Sequence, residues 1–162
     1  MWFTERLNLN LVQKYMVNIN NYHLYDKDFY GWLIKNAELL KQKNFDELDI
    51  EHLIEEVESM GRSEKRQLMT RLSLLIAHLL KWQYQPERQS NSWKLTIKEQ
   101  RKELIELLDE SPSLKNKINL EKAYESGIII ASKETGIIEY DFPKRCSFNL
   151  EECLDYNYFP EK

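Results

Sequence analysis

Apolar positions recur at helical spacing along most of this chain and seldom alternate as a strand requires. Phe29, Trp32, Leu33, Asn36 and Leu40 predict a first helix over about 28–41, with Asn36 a hydrogen-bonded amide at the core edge. Asp46 or Asp49 can cap a second helix ending at Met60, with Ile50, Leu53, Ile54 and Val57 as its apolar stripe. Glu51 and Glu58 flank that stripe, and His52 and Glu56 point away from it. Gly61 supplies the left-handed residue that commonly ends a helix, and Ser63 caps the next.

The third helix, about 63–83, is the most continuously apolar. Leu68, Leu72, Leu75, Ile76, Leu79 and Trp82 share a face, while Leu74 and Leu80 add apolar surface elsewhere. This predicts a buried spine. Pro86 and a polar run end it, and Ser90, Asn91 or Ser92 caps a fourth helix reaching about residue 109. Trp93, Ile97, Gln100, Leu104, Leu107 and Leu108 face inward there. Ser111-Pro112 restarts a fifth helical stretch that carries Leu114, Ile118, Ala123, Ile130 and Ala131 to Thr135-Gly136, open to interruption near Asn119. The remainder is an aromatic-rich strap packed back on the bundle, with a short helix from Asn149. The expected fold is all-α, a single bundle of four to five helices over 23–162. Residues 1–22 form a tail in which Met16 is an alternative start.

Composition adds little beyond a soluble class. With 162 residues, 42% of them hydrophobic, the chain can bury a core, and no apolar run is long enough to span a bilayer. The N-terminus lacks a compact apolar signal region, so a cytoplasmic location is expected, with Cys146 and Cys153 as reduced packing thiols. Charge is more informative. Residues 38–58 carry −6, residues 62–102 carry +7 and residues 103–162 carry −6, within a net −4.

Little of this is chemistry. Asp49, His52, Glu55, Glu56 and Glu58 crowd one helix, but only Asp49-Ile50-Glu51-His52 approximates a Glu-x-x-His metal motif, and no second copy exists. A hairpin at Gly61 would leave His78 about 15 Å from Glu55, too far to share an ion. No metal site or cofactor is expected, and His78 reads as a core-edge residue. Phosphate-loop and nucleophile motifs are absent. In the blander reading of the basic middle, Arg62, Lys65 and Arg66 lie against Glu58 and Glu55 across the Gly61 turn. The sharper reading places a partner on Lys81, Tyr84, Arg88, Lys94, Lys98 and Arg101, in the polar exit of the spine and along the fourth helix. A pI of about 5.5 disfavours nucleic acid for that patch and leaves a protein partner. The preferred function is a non-enzymatic interaction or regulatory module. A metal-dependent bundle enzyme and a nucleic-acid binder using residues 62–102 are the alternatives.

Several strings occur together in order: Phe45-Asp46-Glu47-Leu48-Asp49, Glu55-Glu56, Gly61-Arg62-Ser63-Glu64-Lys65-Arg66, His78-Leu79-Leu80-Lys81-Trp82-Gln83-Tyr84-Gln85-Pro86, Ser92-Trp93 and Ser111-Pro112-Ser113-Leu114. From about Leu24 to Pro160 the chain resembles the domain of unknown function twenty-nine family, abundant in cyanobacteria. The resemblance implies an almost entirely helical, cyanobacterial domain and carries over no catalytic residue or cofactor.

Overall fold

The computed structural model describes residues 23–161, so the expected tail and Met16 lie outside the described residues. Helices α1 (Phe29–Lys41), α2 (Ile50–Tyr84), α3 (Asn91–Glu110), α4 (Leu120–Thr135) and the short α5 (Leu150–Leu154) follow one another. Residues 23–27 are also helical, and single 3-10 turns join several of the elements. Among the described residues there is no strand, so the chain is all-α as its periodicity predicts. No described helix is long and apolar enough to cross a membrane. The chain forms two compact units, Met1–Met60 and Gly61–Lys162.

Most element ends follow local chemistry. Asp28 caps α1 by accepting from the Gly31 N–H at 2.9 Å, and Ser90, Asn119 and Asn149 cap α3, α4 and α5 in the same way. Glu152 completes a capping box by accepting from the Asn149 N–H. Gly136, at φ 78°, ends α4 in the left-handed conformation.

Gly61 does not end a helix. The two segments expected on either side of it are one helix of 35 residues, about 52 Å long, and Gly61 is not among the positive-φ positions. An interior glycine costs only about 1 kcal/mol. The residues after it, Arg-Ser-Glu-Lys-Arg, continue a helix well, and Glu58 and Arg62 stand at the favourable i, i+4 spacing.

In the first unit α1 packs on α2 through a polar face. Trp32 and Asn36 are buried, and the Trp32 indole N–H donates to Asp49 Oδ2 at 3.0 Å. Asn36 Oδ1 accepts from the Asp49 backbone N–H, and its amide donates to the Trp32 carbonyl, as expected of a core-edge amide. Asp49 also caps α2 and meets His52 Nδ1 at 2.7 Å. Tyr25 stacks on His52 with centroids 3.9 Å apart and donates its hydroxyl to Glu56 at 2.5 Å. That carboxylate pushes the phenol up to about 12. His52 and Glu56 therefore face the rest of this unit, and the expected buried stripe of Ile50, Ile54 and Val57 faces outward.

The second unit is built on the rest of α2, the spine the pattern predicts. Leu68, Leu72, Leu75, Ile76 and Leu79 are essentially inaccessible, each contributing about 1.5–3 kcal/mol of burial. α3 runs antiparallel to the spine, joined by Lys81 against Trp93 at one end and Arg71 to Glu103 at the other. α4 runs parallel to it, with Gly127 against Ser73 and Ile76 and Glu134 against Lys81. The C-terminal strap packs back as expected. Phe142 and Phe148 are buried, Tyr158 and Phe159 are half-buried, and only Tyr140 projects fully.

Helical continuity at Gly61 has a measurable sign. An added Cβ there meets nothing, so Gly61→Ala should stabilise by about 0.5–1 kcal/mol in denaturant unfolding. Gly136→Ala should destabilise instead, because alanine is strained at that φ.

Candidate functional site

The residues suspected of partner binding divide sharply. Lys81 is buried, paired with Glu134 Oε2 at 2.5 Å and lying 4.6 Å from the Trp93 ring centroid. Arg101 is wholly inaccessible. Its Nε donates to the Cys153 carbonyl at 2.8 Å and its Nη2 to the Tyr158 carbonyl at 2.7 Å, beside the Phe159 ring. Both were expected at an exposed patch, and both instead satisfy internal acceptors. Arg101 sits four residues after Ile97 and three before Leu104, which puts it on the buried face of α3. Tyr84 is half-buried, edge-on to Phe142, and burial raises its pKa.

Arg88, Lys94 and Lys98 remain exposed. Lys94 lies 5.7 Å from the Phe159 centroid. Lys98 lines a shallow groove whose charges are mixed, since Glu99 and Glu103 also line it. Lys102 pairs with Glu106 and Arg71 with Glu103, so this flank of α3 carries little net field.

A different surface gathers positive charge. A cleft of about 800 Å³ lies between α2 and the segment running from the 3-10 turn Pro112–Lys117 into α4. Arg62, Lys65 and Arg66 line one wall, Lys117 and Lys122 the other, and Met69, Ile118 and Ile130 make its apolar surface. No carboxylate lines it. Residues 62, 65, 66, 69 and 73 share a face of α2, and 122, 126 and 130 share a face of α4. The helices touch at Gly127, where a Cβ would lie 2.9 Å from Ile76 Cγ2. The cleft opens toward the start of α4. Ser73 and Ser126 donate their hydroxyls to helix carbonyls, which leaves charge and apolar contact as the cleft's main offerings.

The expected pairing of Arg62, Lys65 and Arg66 across a Gly61 turn is thereby replaced, because no turn exists. Lys117 and Lys122 were not singled out from the sequence. Their signal is positional only: they flank the start of a helix that runs beside the basic turns of α2.

Other titratable groups of the second unit are held by burial. His78 is buried, its Nδ1 lacks a hydrogen-bond partner among the described residues, and burial, aided by Lys81, lowers its pKa. Burial pushes Cys153 up to about 12 and also raises Cys146, which favours the protonated thiol at both positions. Among the described residues no group of three or more His, Cys, Asp or Glu side chains is placed to hold a metal ion.

Two buried basic side chains yield predictions. The His78 imidazole is neutral in the fold but protonates below the ordinary value of 6.5 once unfolded. Its stabilising effect is whole above that pH and is lost as pH falls through the lowered folded value. His78→Leu should stay within roughly 1.5 kcal/mol of the parent at neutral pH and flatten the acid-side loss, read as melting temperature against pH. Arg101→Lys should lower the urea midpoint by an amount worth about 1.5–3 kcal/mol with unchanged slope, since lysine cannot span two carbonyls with a planar fork.

No curated protein and no solved structure matches the chain. A family model described as "Domain of unknown function DUF29" matches residues 24–159, most of the chain, and the protein therefore belongs to the DUF29 family.

Proposed function

We propose that this protein is a non-enzymatic interaction module whose cleft between α2 and α4 holds an acidic segment of a partner protein. The observation that carries this reading is five cationic side chains on two facing walls around an apolar surface, with no lining carboxylate. Lys65, Arg66, Lys117 and Lys122 are exposed, and none has an ion-pair partner among the described residues. Such walls would hold the acidic flanks of an amphipathic helix while its apolar anchors reach Met69, Ile118 and Ile130. A nucleic acid fits less well, because no aromatic side chain in the cleft offers a stacking platform. Two free, burial-protected thiols suit a reducing compartment, and we place the protein in the cytoplasm.

The test is fluorescence anisotropy with a labelled amphipathic peptide rich in Glu and Leu. Binding should weaken with rising salt, and Lys117→Glu with Lys122→Glu should weaken it by roughly tenfold or more, about 1.4 kcal/mol. Reversing Lys94 and Lys98 should leave it unchanged. The reading fails if the peptide binds the Lys117/Lys122 variant as well as the parent, or does not bind the parent.

A further inference from the structure

The width of the cleft is governed at one residue. Gly127 is buried on the face of α4 that meets α2, one turn after Ala123 and one turn before Ala131, both fully buried. A Cβ built on it would lie 2.9 Å from Ile76 Cγ2, 3.2 Å from Ile76 Cβ and 3.1 Å from the Ser73 carbonyl oxygen, where ordinary contact begins at 3.4 Å. None of these atoms can step aside. The carbonyl belongs to the backbone of α2, and Ile76 is wholly inaccessible and, being branched at Cβ, is held to one rotamer in a helix. The separation of two packed helices follows the side chains at their contact, so the absent side chain lets α2 and α4 lie closer than any other residue would allow there. The cleft walls adjoin this contact. Ser73 lines the cleft with Met69 one turn before it, and on α4 the lining residues Ser126 and Ile130 stand on either side of Gly127.

We propose that Gly127 is a positioning residue that sets the apolar selectivity of the cleft, an inference that rests on the acidic-segment reading above. A larger side chain there moves the α4 wall away from the α2 wall. An anchor that touches Met69 on one wall and Ile130 on the other then loses contact with one of them. A gap of about 0.5–1 Å already forfeits a quarter to a half of each van der Waals attraction. Attraction between charges falls only as the inverse of distance, so the same displacement leaves the hold of the wall cations almost unchanged. The close approach at Gly127 therefore decides which apolar side chains the cleft prefers, whereas the cations decide how tightly any acidic segment is held.

Anisotropy with two labelled peptides is the test: the peptide rich in Glu and Leu, and the same peptide with every Leu replaced by Ala. The parent should prefer the Leu peptide. Gly127→Ala should cut that preference several-fold while the salt dependence of binding stays as in the parent. Adding Ile76→Leu, which removes the Cγ2 branch, should recover part of the preference. Should Gly127→Ala not fold by circular dichroism, the double variant is compared with Ile76→Leu alone, and the same loss in smaller measure is expected. Crystal structures of the parent and the variant should show α2 and α4 further apart at this contact. A folded variant that keeps the parent's preference, or an unchanged helix separation, overturns the proposal and leaves the cleft reading standing, as does a parent that binds both peptides equally. A parent that binds neither peptide overturns both.

Discussion

The rest of the structure depends on one uninterrupted helix. Over its 35 residues α2 carries apolar positions at helical spacing on both sides of the polar stretch 61–67, and they are met differently in the two units. From Leu68 to Leu79 they lie in the core with side chains of α3, α4 and the strap. From Ile50 to Val57 they are exposed, because Tyr25 and Trp32 of the preceding helical residues engage the His52 and Glu56 side of the helix through a hydrogen bond and ring contacts. A helix sustains this because its backbone bonds are internal and need no neighbour. The wall that α2 gives the cleft, residues 62–73, lies wholly beyond Gly61 and belongs to the second unit alone.

Burying charge is the second constraint, and the unit meets it differently at two points. Lys81 enters the core with its own counter-ion, Glu134, and an aromatic face, so its charge is balanced locally. Arg101 enters with no bonded carboxylate. It uses two backbone carbonyls of the strap, which would otherwise need other donors, and burial lowers its pKa. The guanidinium thus fixes where the strap crosses α3, and Phe159 is held against Trp82 and Arg101 together. Positive charge that looked available to a partner is consumed by the fold, and the available charge lies on the other side of α2.

Much of the architecture was legible because it rests on local chemistry. Ser90, Asn149 and Gly136 announce their roles through side-chain oxygens or backbone freedom that act over three or four residues. Gly61 was misread because a glycine after an apolar helix is compatible with both a left-handed cap and an ordinary helical position. The choice depends on whether distant chain folds back, which local sequence does not encode. The face of α2 that meets α1 was misread for a related reason. Periodicity identifies the most apolar face, but Trp32, Asn36 and Asp49 form a hydrogen-bonded contact that wins the polar one. Arg101 was recoverable in principle, since its spacing from Ile97 and Leu104 placed a cation on a buried stripe.

The order of charge along α2 also has an explanation internal to the helix, and its reach can be judged. Acidic residues near the N-terminus complement the macrodipole, but that effect is worth about 0.3–1 kcal/mol and fades within the first turn. It covers Glu51, not Glu55, Glu58 or the cations from Arg62 to Arg66. Spacings of four residues between unlike charges add a few tenths of a kcal/mol each and serve equally well on any exposed helix. Neither effect bears on the exposed isoleucines. Their outward position follows from the packing of the first unit, in which the buried Trp32, Asn36 and Asp49 take the other side of the helix start.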